Sequence, residues 1–241
     1  MEFTQTGIDG VDSILNGGIV TGSTVLVSGS PGTGKSLFGL QFLYNGVREF
    51  DEKGIYLSFE ENEDDLAGAA TSIGLEAWPE LVANGAIEVY DKRVLLREND
   101  FSSTLDRILE DLQDSEYERL VMDSLTMFQL FFETEHEQRQ YLLKFSDILK
   151  RNGFTSLLIS EKGGVFPETE VSAEDFMTDG NVYLFQTPTE SGVNRYIWIA
   201  KMRKQNIQND IFPMDIDEDG IHVHDRAAGF SMIGQDGPPF G

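Results

Sequence analysis

The chain has 241 residues, 40% of them hydrophobic, which is enough for one substantial α/β core, and no apolar run is long enough to cross a membrane. With no cysteine, disulfides and thiolate metal sites are excluded. Forty-two acidic residues face 18 basic ones (8 Lys, 10 Arg), a net charge of −24 spread along the chain; this disfavours a broad nucleic-acid surface and points to a salt-rich, haloarchaeal type of cytoplasm that screens the repulsion.

The N-terminus (Met1-Glu2-Phe3-Thr4) lacks the basic-then-apolar pattern of a secretory signal, so a cytoplasmic location is expected. Residues 24–29 form the first clear strand pattern, a short apolar run bounded by turn residues. It runs into Gly29-Ser30-Pro31-Gly32-Thr33-Gly34-Lys35-Ser36, which fits G-x-x-x-x-G-K-[ST] in full, and a helical pattern opens at Leu37. The residue types follow from phosphate chemistry. Glycines let the backbone curl so that successive N–H groups point at phosphate oxygens. The helix N-terminus adds a positive dipole end, Lys35 is placed for the β- and γ-phosphates, and the Ser36 hydroxyl is placed for Mg²⁺.

Residues 54–59 read as a second strand, and Glu60 and Glu61 follow it at the edge where parallel sheets bind ligands. One of the two is positioned to activate a water, although Glu63-Asp64-Asp65 just beyond allows a plain acidic loop instead. Residues 86–90 make a third strand. A helix with Leu105, Ile108, Leu109 and Leu112 on one face follows, with Ser103 and Asp106 suited to a capping box. Arg119-Leu120-Val121-Met122-Asp123 is an apolar strand ending in a carboxylate, the way a Walker B Asp is presented to the magnesium shell. Tyr141, Leu142, Phe145, Ile148 and Leu149 mark another helix, ending at Asn152-Gly153, and residues 155–160 another strand. Such alternation predicts a mostly parallel twisted sheet with helices on both faces.

Past Gly180 the pattern is strands alone, at 182–186, 196–202, 211–216 and 221–224, expected to extend the sheet antiparallel. Lys201, Arg203 and Lys204 put three of the 18 cations into four residues, and on a strand Lys201 and Arg203 point the same way. His222 and His224 share a strand face with no third ligand near, which reads as packing or surface rather than metal. The organisation expected is one domain over residues 1–226 and a Gly- and Pro-rich tail over 227–241.

Thr6-Gly7-Ile8-Asp9-Gly10-Val11-Asp12 through the phosphate loop resembles the KaiC domain of the RecA superfamily. So do Leu40-Gln41-Phe42-Leu43, Leu57-Ser58-Phe59-Glu60-Glu61, Val121-Met122-Asp123-Ser124, Ala173-Glu174-Asp175-Phe176, Lys201-Met202-Arg203 and Gly220-Ile221-His222. The resemblance spans residues 4–225. It implies a RecA-like ATPase core that binds ATP between protomers of a homohexameric ring; an unidentified protein partner is also expected, and the hydropathy leaves no place for a membrane. The resemblance further implies that Glu60 is the catalytic glutamate beside Glu61, that Ser72 lies near the adenine, and that Lys201, Met202 and Arg203 reach the neighbour's nucleotide. The family's best-known members fuse two such domains where this chain has one. Their histidine beyond the Lys-x-Arg pair is replaced by Ile207, and residues 205–209 offer no Ser/Thr pair for self-phosphorylation. A slow regulatory Mg²⁺-dependent ATPase is the leading expectation. The alternatives are an ATP-binding scaffold similar to the accessory protein of the archaeal flagellar motor, and a RecA/RadA-like recombination ATPase, which the acidity opposes.

Overall fold

The central strand is β3 (Thr24–Gly29), buried at every position because strands lie on both sides of it and helices cover both its faces. The computed structural model describes residues 1–91, 101–113, 115–162, 177–189, 192–224 and 226, with residues 101–105 by backbone alone. The expected tail, 227–241, and residues 173–176 of the motif beginning at Ala173 lie outside the described residues.

In chain order the elements are β1 (Phe3–Thr4), α1 (Val11–Ile14), β2 (Ile19–Val20), β3, α2 (Lys35–Phe50), β4 (Gly54–Ser58), α3 (Glu63–Thr71), α4 (Trp78–Ala83) and β5 (Ile87–Tyr90). They continue with α5 (Phe101–Gln113), β6 (Arg119–Asp123), α6 (Leu125–Gln129), α7 (Glu135–Arg151), β7 (Thr155–Glu161), β8 (Gly180–Thr189), β9 (Gly192–Met202), β10 (Ile211–Asp217) and β11 (Gly220–Val223). β1 and β2 pair as a small ribbon, and the other strands form one sheet in the order β11-β10-β9-β8-β3-β7-β6-β4-β5.

The strands from β8 to β5 run parallel, and β8 through β11 alternate antiparallel. The expected antiparallel extension is therefore correct from β9 onward. β8 itself joins β3 in parallel, because the chain crosses from the end of β7 back to the start of the sheet before β8 begins.

Side-chain alternation divides the core in two. Val25 and Val27 of β3, Tyr56 of β4, Val121 of β6 and Leu157 of β7 face α1, α2, α3 and α4. Leu26, Ile55, Leu120, Met122 and Leu158 face α5, α6 and α7, where Ile108, Leu109, Leu112, Leu142, Phe145 and Leu149 complete the second layer. Helix α5 begins at Phe101, so Ser103 sits inside it instead of capping it. The capping box is on α7, where Thr134 accepts from Glu137 N and the Glu137 carboxylate accepts from Thr134 N.

Arg119 opens β6 fully buried and closes the end of the sheet away from the phosphate loop. Its Nε donates to Glu52 at 2.6 Å, Nη1 to Phe42 O and Nη2 to Gln5 O, while the guanidinium lies 4.6 Å from the centre of the Phe42 ring. Gly46 is glycine for this reason, since a Cβ there would stand 2.5 Å from Arg119 Nε.

Candidate nucleotide site

The chain leaves β3 at Gly29 and turns sharply into α2, with Gly32 at φ 80° and Gly34 at φ 96°, backbone values that glycine adopts without strain. The Thr33 hydroxyl and Lys35 Nζ both donate to Ser30 O, at 2.8 and 3.0 Å, so the loop is closed on itself across its own backbone. Pro31, Gly32, Gly34, Lys35, Ser36 and Leu37 form one wall of a cleft of about 420 Å³ at the C-terminal edge of the parallel strands.

The other wall comes from distant parts of the chain. Glu60 and Glu61 arrive at the end of β4, Asp123 and Ser124 at the end of β6, Glu161 at the end of β7, and Arg195 from β9. The carboxylates stand there because their strands end on this edge, and Arg195 because antiparallel β9 begins on it. Ser58 fixes the bend after β4, its hydroxyl donating to Glu61 O and accepting from Glu61 N. Ser124 Oγ donates to Glu60 Oε1 at 2.8 Å while accepting from Met127 N to cap α6. Asp123 accepts from the buried Tyr56 hydroxyl at 2.6 Å, and Ser36 lines the same cleft beside it.

Burial raises the pKa of Asp123, opposed by the Tyr56 and Ser36 hydroxyls and by Lys35. Burial also lowers the pKa of Lys35, while the charges of Glu161, Asp123 and Glu60 push it back up. Four carboxylates (Glu60, Glu61, Asp123, Glu161) thus face two cations (Lys35, Arg195) across the cleft. Arg195 Nε is buried and makes no hydrogen bond among the described residues, a donor suited to an anion.

The donor chemistry fits magnesium-bound phosphate. A Ser36 hydroxyl and an Asp123 carboxylate are hard oxygen ligands. No group of three His, Cys, Asp or Glu gathers around a metal position among the described residues. Glu63, Asp64 and Asp65 have a structural role as the acidic first turn of α3, capped by the Asn62 side chain on Asp65 N.

The remaining expected residues lie elsewhere. Ser72 ends α3, exposed, its hydroxyl donating to Ala69 O at 2.7 Å, and it is Ala69 that lines the cleft. Lys201, Met202 and Arg203 are at the opposite end of the sheet. Met202 pairs with Gly180, which pairs with Val25 near the start of β3, whereas the phosphate loop leaves from its end. The expectation that Lys201 and Arg203 project alike from a strand is corrected, because β9 stops at Met202 and Arg203 lies in the turn beyond. Lys201 Nζ donates to Thr178 O at 2.7 Å, and Arg203 lies 3.5 Å from Asp179. His222 pairs with Asp9 and Asp217, and His224 with Asp215.

Sequence reasoning missed Tyr56, Ser124, Glu161 and Arg195. A single arginine within the otherwise uncharged residues 191–200 was the only signal for Arg195, and Tyr56 carried none, since a tyrosine within a buried strand reads as core.

A glycine-rich loop between a central parallel strand and its helix, with carboxylates ending the strands beside it, defines the P-loop nucleoside-triphosphatase class in its RecA-like form. A family model described as "ATPase: KaiC" matches residues 4–228, and the chain belongs to that family. It is 31% identical over 226 residues to the circadian clock oscillator protein KaiC of Synechococcus elongatus and 30% identical to that of Parathermosynechococcus lividus. These alignments take in 91% of the chain and only 43% and 42% of the two clock proteins, so the chain spans less than half of their length. Among solved structures, a KaiC-like protein from the hyperthermophilic archaeon Pyrococcus horikoshii superposes with a TM-score of 0.81 at 31% identity, over 92% of this chain and 99% of that one. The mostly parallel sheet with an antiparallel C-terminal extension is thus the KaiC fold.

Proposed function

We propose that the protein binds Mg²⁺-ATP at residues 29–37 and hydrolyses it slowly, as one KaiC-type domain in a homohexameric ring with a regulatory role. The observation that carries this reading is the meeting of the phosphate loop, Glu60, Asp123 and Arg195 in one cleft. Backbone N–H groups of the loop and Lys35 hold the phosphates, and Ser36 and Asp123 hold the magnesium. Magnesium, when bound, neutralises phosphate charge and polarises the transferred group. Glu60, oriented by the Ser124 hydroxyl, accepts the proton of the attacking water, with Glu61 beside it. Ser72, three residues beyond Ala69 in the cleft wall, marks the adenine side.

The charge balance supports a shared site. Four carboxylates against two cations leave the cleft formally −2, a poor host for a tetra-anion without further positive charge. Lys201 and Arg203, at the far end of the sheet from their own phosphate loop, would supply it to a neighbour, with Met202 between them. The even spread of negative charge supports assembly in a salt-rich cytoplasm.

Phosphate release measured in molar KCl, with and without single-stranded DNA, tests the reading. Slow Mg²⁺-dependent turnover that DNA leaves unchanged and Lys35→Ala abolishes is expected. Stimulation by DNA would transfer the protein to the recombinases. Tight ATP binding without turnover would leave the scaffold alternative.

A further inference from the structure

Asp123 ends β6 with its carboxylate nearly buried, and one of its oxygens is already engaged inside the core. The Tyr56 hydroxyl donates to Asp123 Oδ2 at 2.6 Å. Tyr56 stands on the neighbouring strand β4, opposite Val121, while Ser58 is opposite Asp123. Residues 56, 58, 121 and 123 therefore share one face of the sheet, and the phenol reaches Asp123 on the diagonal. The Tyr56 ring is fully buried and meets Trp78 edge-on, centroids 6.3 Å apart at 86°. Phenylalanine would fill this place as well. The hydroxyl is a polar atom taken out of water, and its hydrogen bond to Asp123 offsets that cost.

What the bond supplies is orientation. The terminal torsion of an aspartate is broad, so a carboxylate facing an open cleft samples many angles. With Oδ2 tied to the buried Tyr56 ring, the group keeps one angle relative to Ser36, which lines the same cleft. From this we infer that Tyr56 is a positioning residue for the magnesium-binding pair Ser36 and Asp123, setting metal affinity without touching nucleotide. The inference rests on the nucleotide reading above.

Tyr56→Phe keeps the ring and its contact with Trp78 and removes the hydroxyl alone. The probe is a fluorescent ATP analogue, titrated onto the protein in excess chelator and then across a magnesium series. The analogue's affinity in chelator is expected to stay at the wild-type value, while the Mg²⁺ concentration at half-effect rises about tenfold, as for other groups that orient a metal ligand. In an Asp123→Asn background the same change is expected to add nothing further. Trp78→Phe, which loosens the packing and keeps the hydroxyl, is expected to leave the magnesium series unchanged. Equal loss of affinity with and without magnesium, a magnesium series within twofold of wild type, or full additivity with Asp123→Asn would overturn the inference. A wild-type protein that binds the analogue without any response to magnesium would instead overturn the reading it rests on.

Discussion

Glu60 is the exposed member of the Glu60–Glu61 pair, and it receives the Ser124 hydroxyl at 2.8 Å, so it is oriented before any water arrives. Glu60→Gln keeps the shape and the Ser124 bond and loses the capacity to take a proton. ATP affinity is expected to persist while turnover falls by about 10²–10⁴-fold in a single-turnover assay. Full turnover in this variant, with loss in Glu61→Gln, would move the role to Glu61. Arg119 offers a test of stability, since it is fully buried and bonded to Glu52, Phe42 O and Gln5 O. Arg119→Leu leaves two carbonyls and a carboxylate without their donor and is expected to cost about 3 kcal/mol in urea denaturation. Its position at the end of β6 remote from Asp123 predicts little change in nucleotide affinity in the folded fraction.

At the scale of elements, the β10–β11 hairpin closes the sheet beside the phosphate loop. Ile221 N donates to Gln41 Oε1 of α2 at 2.8 Å, and Ile216 lines the cleft against Gly34. The hairpin is also pinned by His222, whose ring lies 3.2 Å from Asp9 and 3.3 Å from Asp217. Partial burial by itself lowers the His222 pKa, but hydrogen bonds and charge from these two aspartates outweigh it and hold the group above its ordinary 6.5. A histidine raised in the folded state contributes stability that is complete below pH 6.5 and is lost as pH rises through the folded value. The melting temperature is therefore expected to fall modestly as pH rises from about 6 to 8, and His222→Gln to flatten that slope. An unchanged slope in the variant would remove the hairpin pair as its cause.

For the whole molecule, net charge and the shared site each lead to a measurement. At −24 the folded chain repels itself, and the Debye length contracts to about 3 Å at 1 M salt, so thermal stability and assembly are expected to rise steeply toward molar KCl. A melt flat across that range would count against the salt-adapted reading. If ATP lies between protomers, Arg203→Ala and Glu60→Gln rings are each inactive, and a mixed ring contains interfaces with both residues intact. Phosphate release is expected to reappear on mixing under conditions of subunit exchange, from a background lowered by about 10³-fold or more. No recovery despite proven exchange, or a monomer by light scattering with ATP present, would defeat the shared site.

Much of this protein was legible in the chain itself. The strands 24–29 and 119–123, the helix expected from Leu37 and found from Lys35, and the phosphate loop between them could be read because each rests on local rules: apolar runs, helix periods and glycines where φ is positive. The family followed from the same short motifs, and the matched span, 4–228, is close to the span they marked. Tertiary structure alone decided which residues meet. Tyr56 and Asp123 are 67 positions apart and Ser124 and Glu60 64 apart, so strand order, not sequence spacing, brings them within hydrogen-bonding distance. The same holds for Arg195, carried to the cleft by pairing with Gln186 and Met214, and for β8, whose direction depends on which strand it joins. Where β9 ends likewise decided that Lys201 and Arg203 part company and stand at the far end of the sheet from their own phosphate loop. Local pattern sets each element, whereas neighbours in a sheet are chosen by burial of both faces, a property of the whole chain.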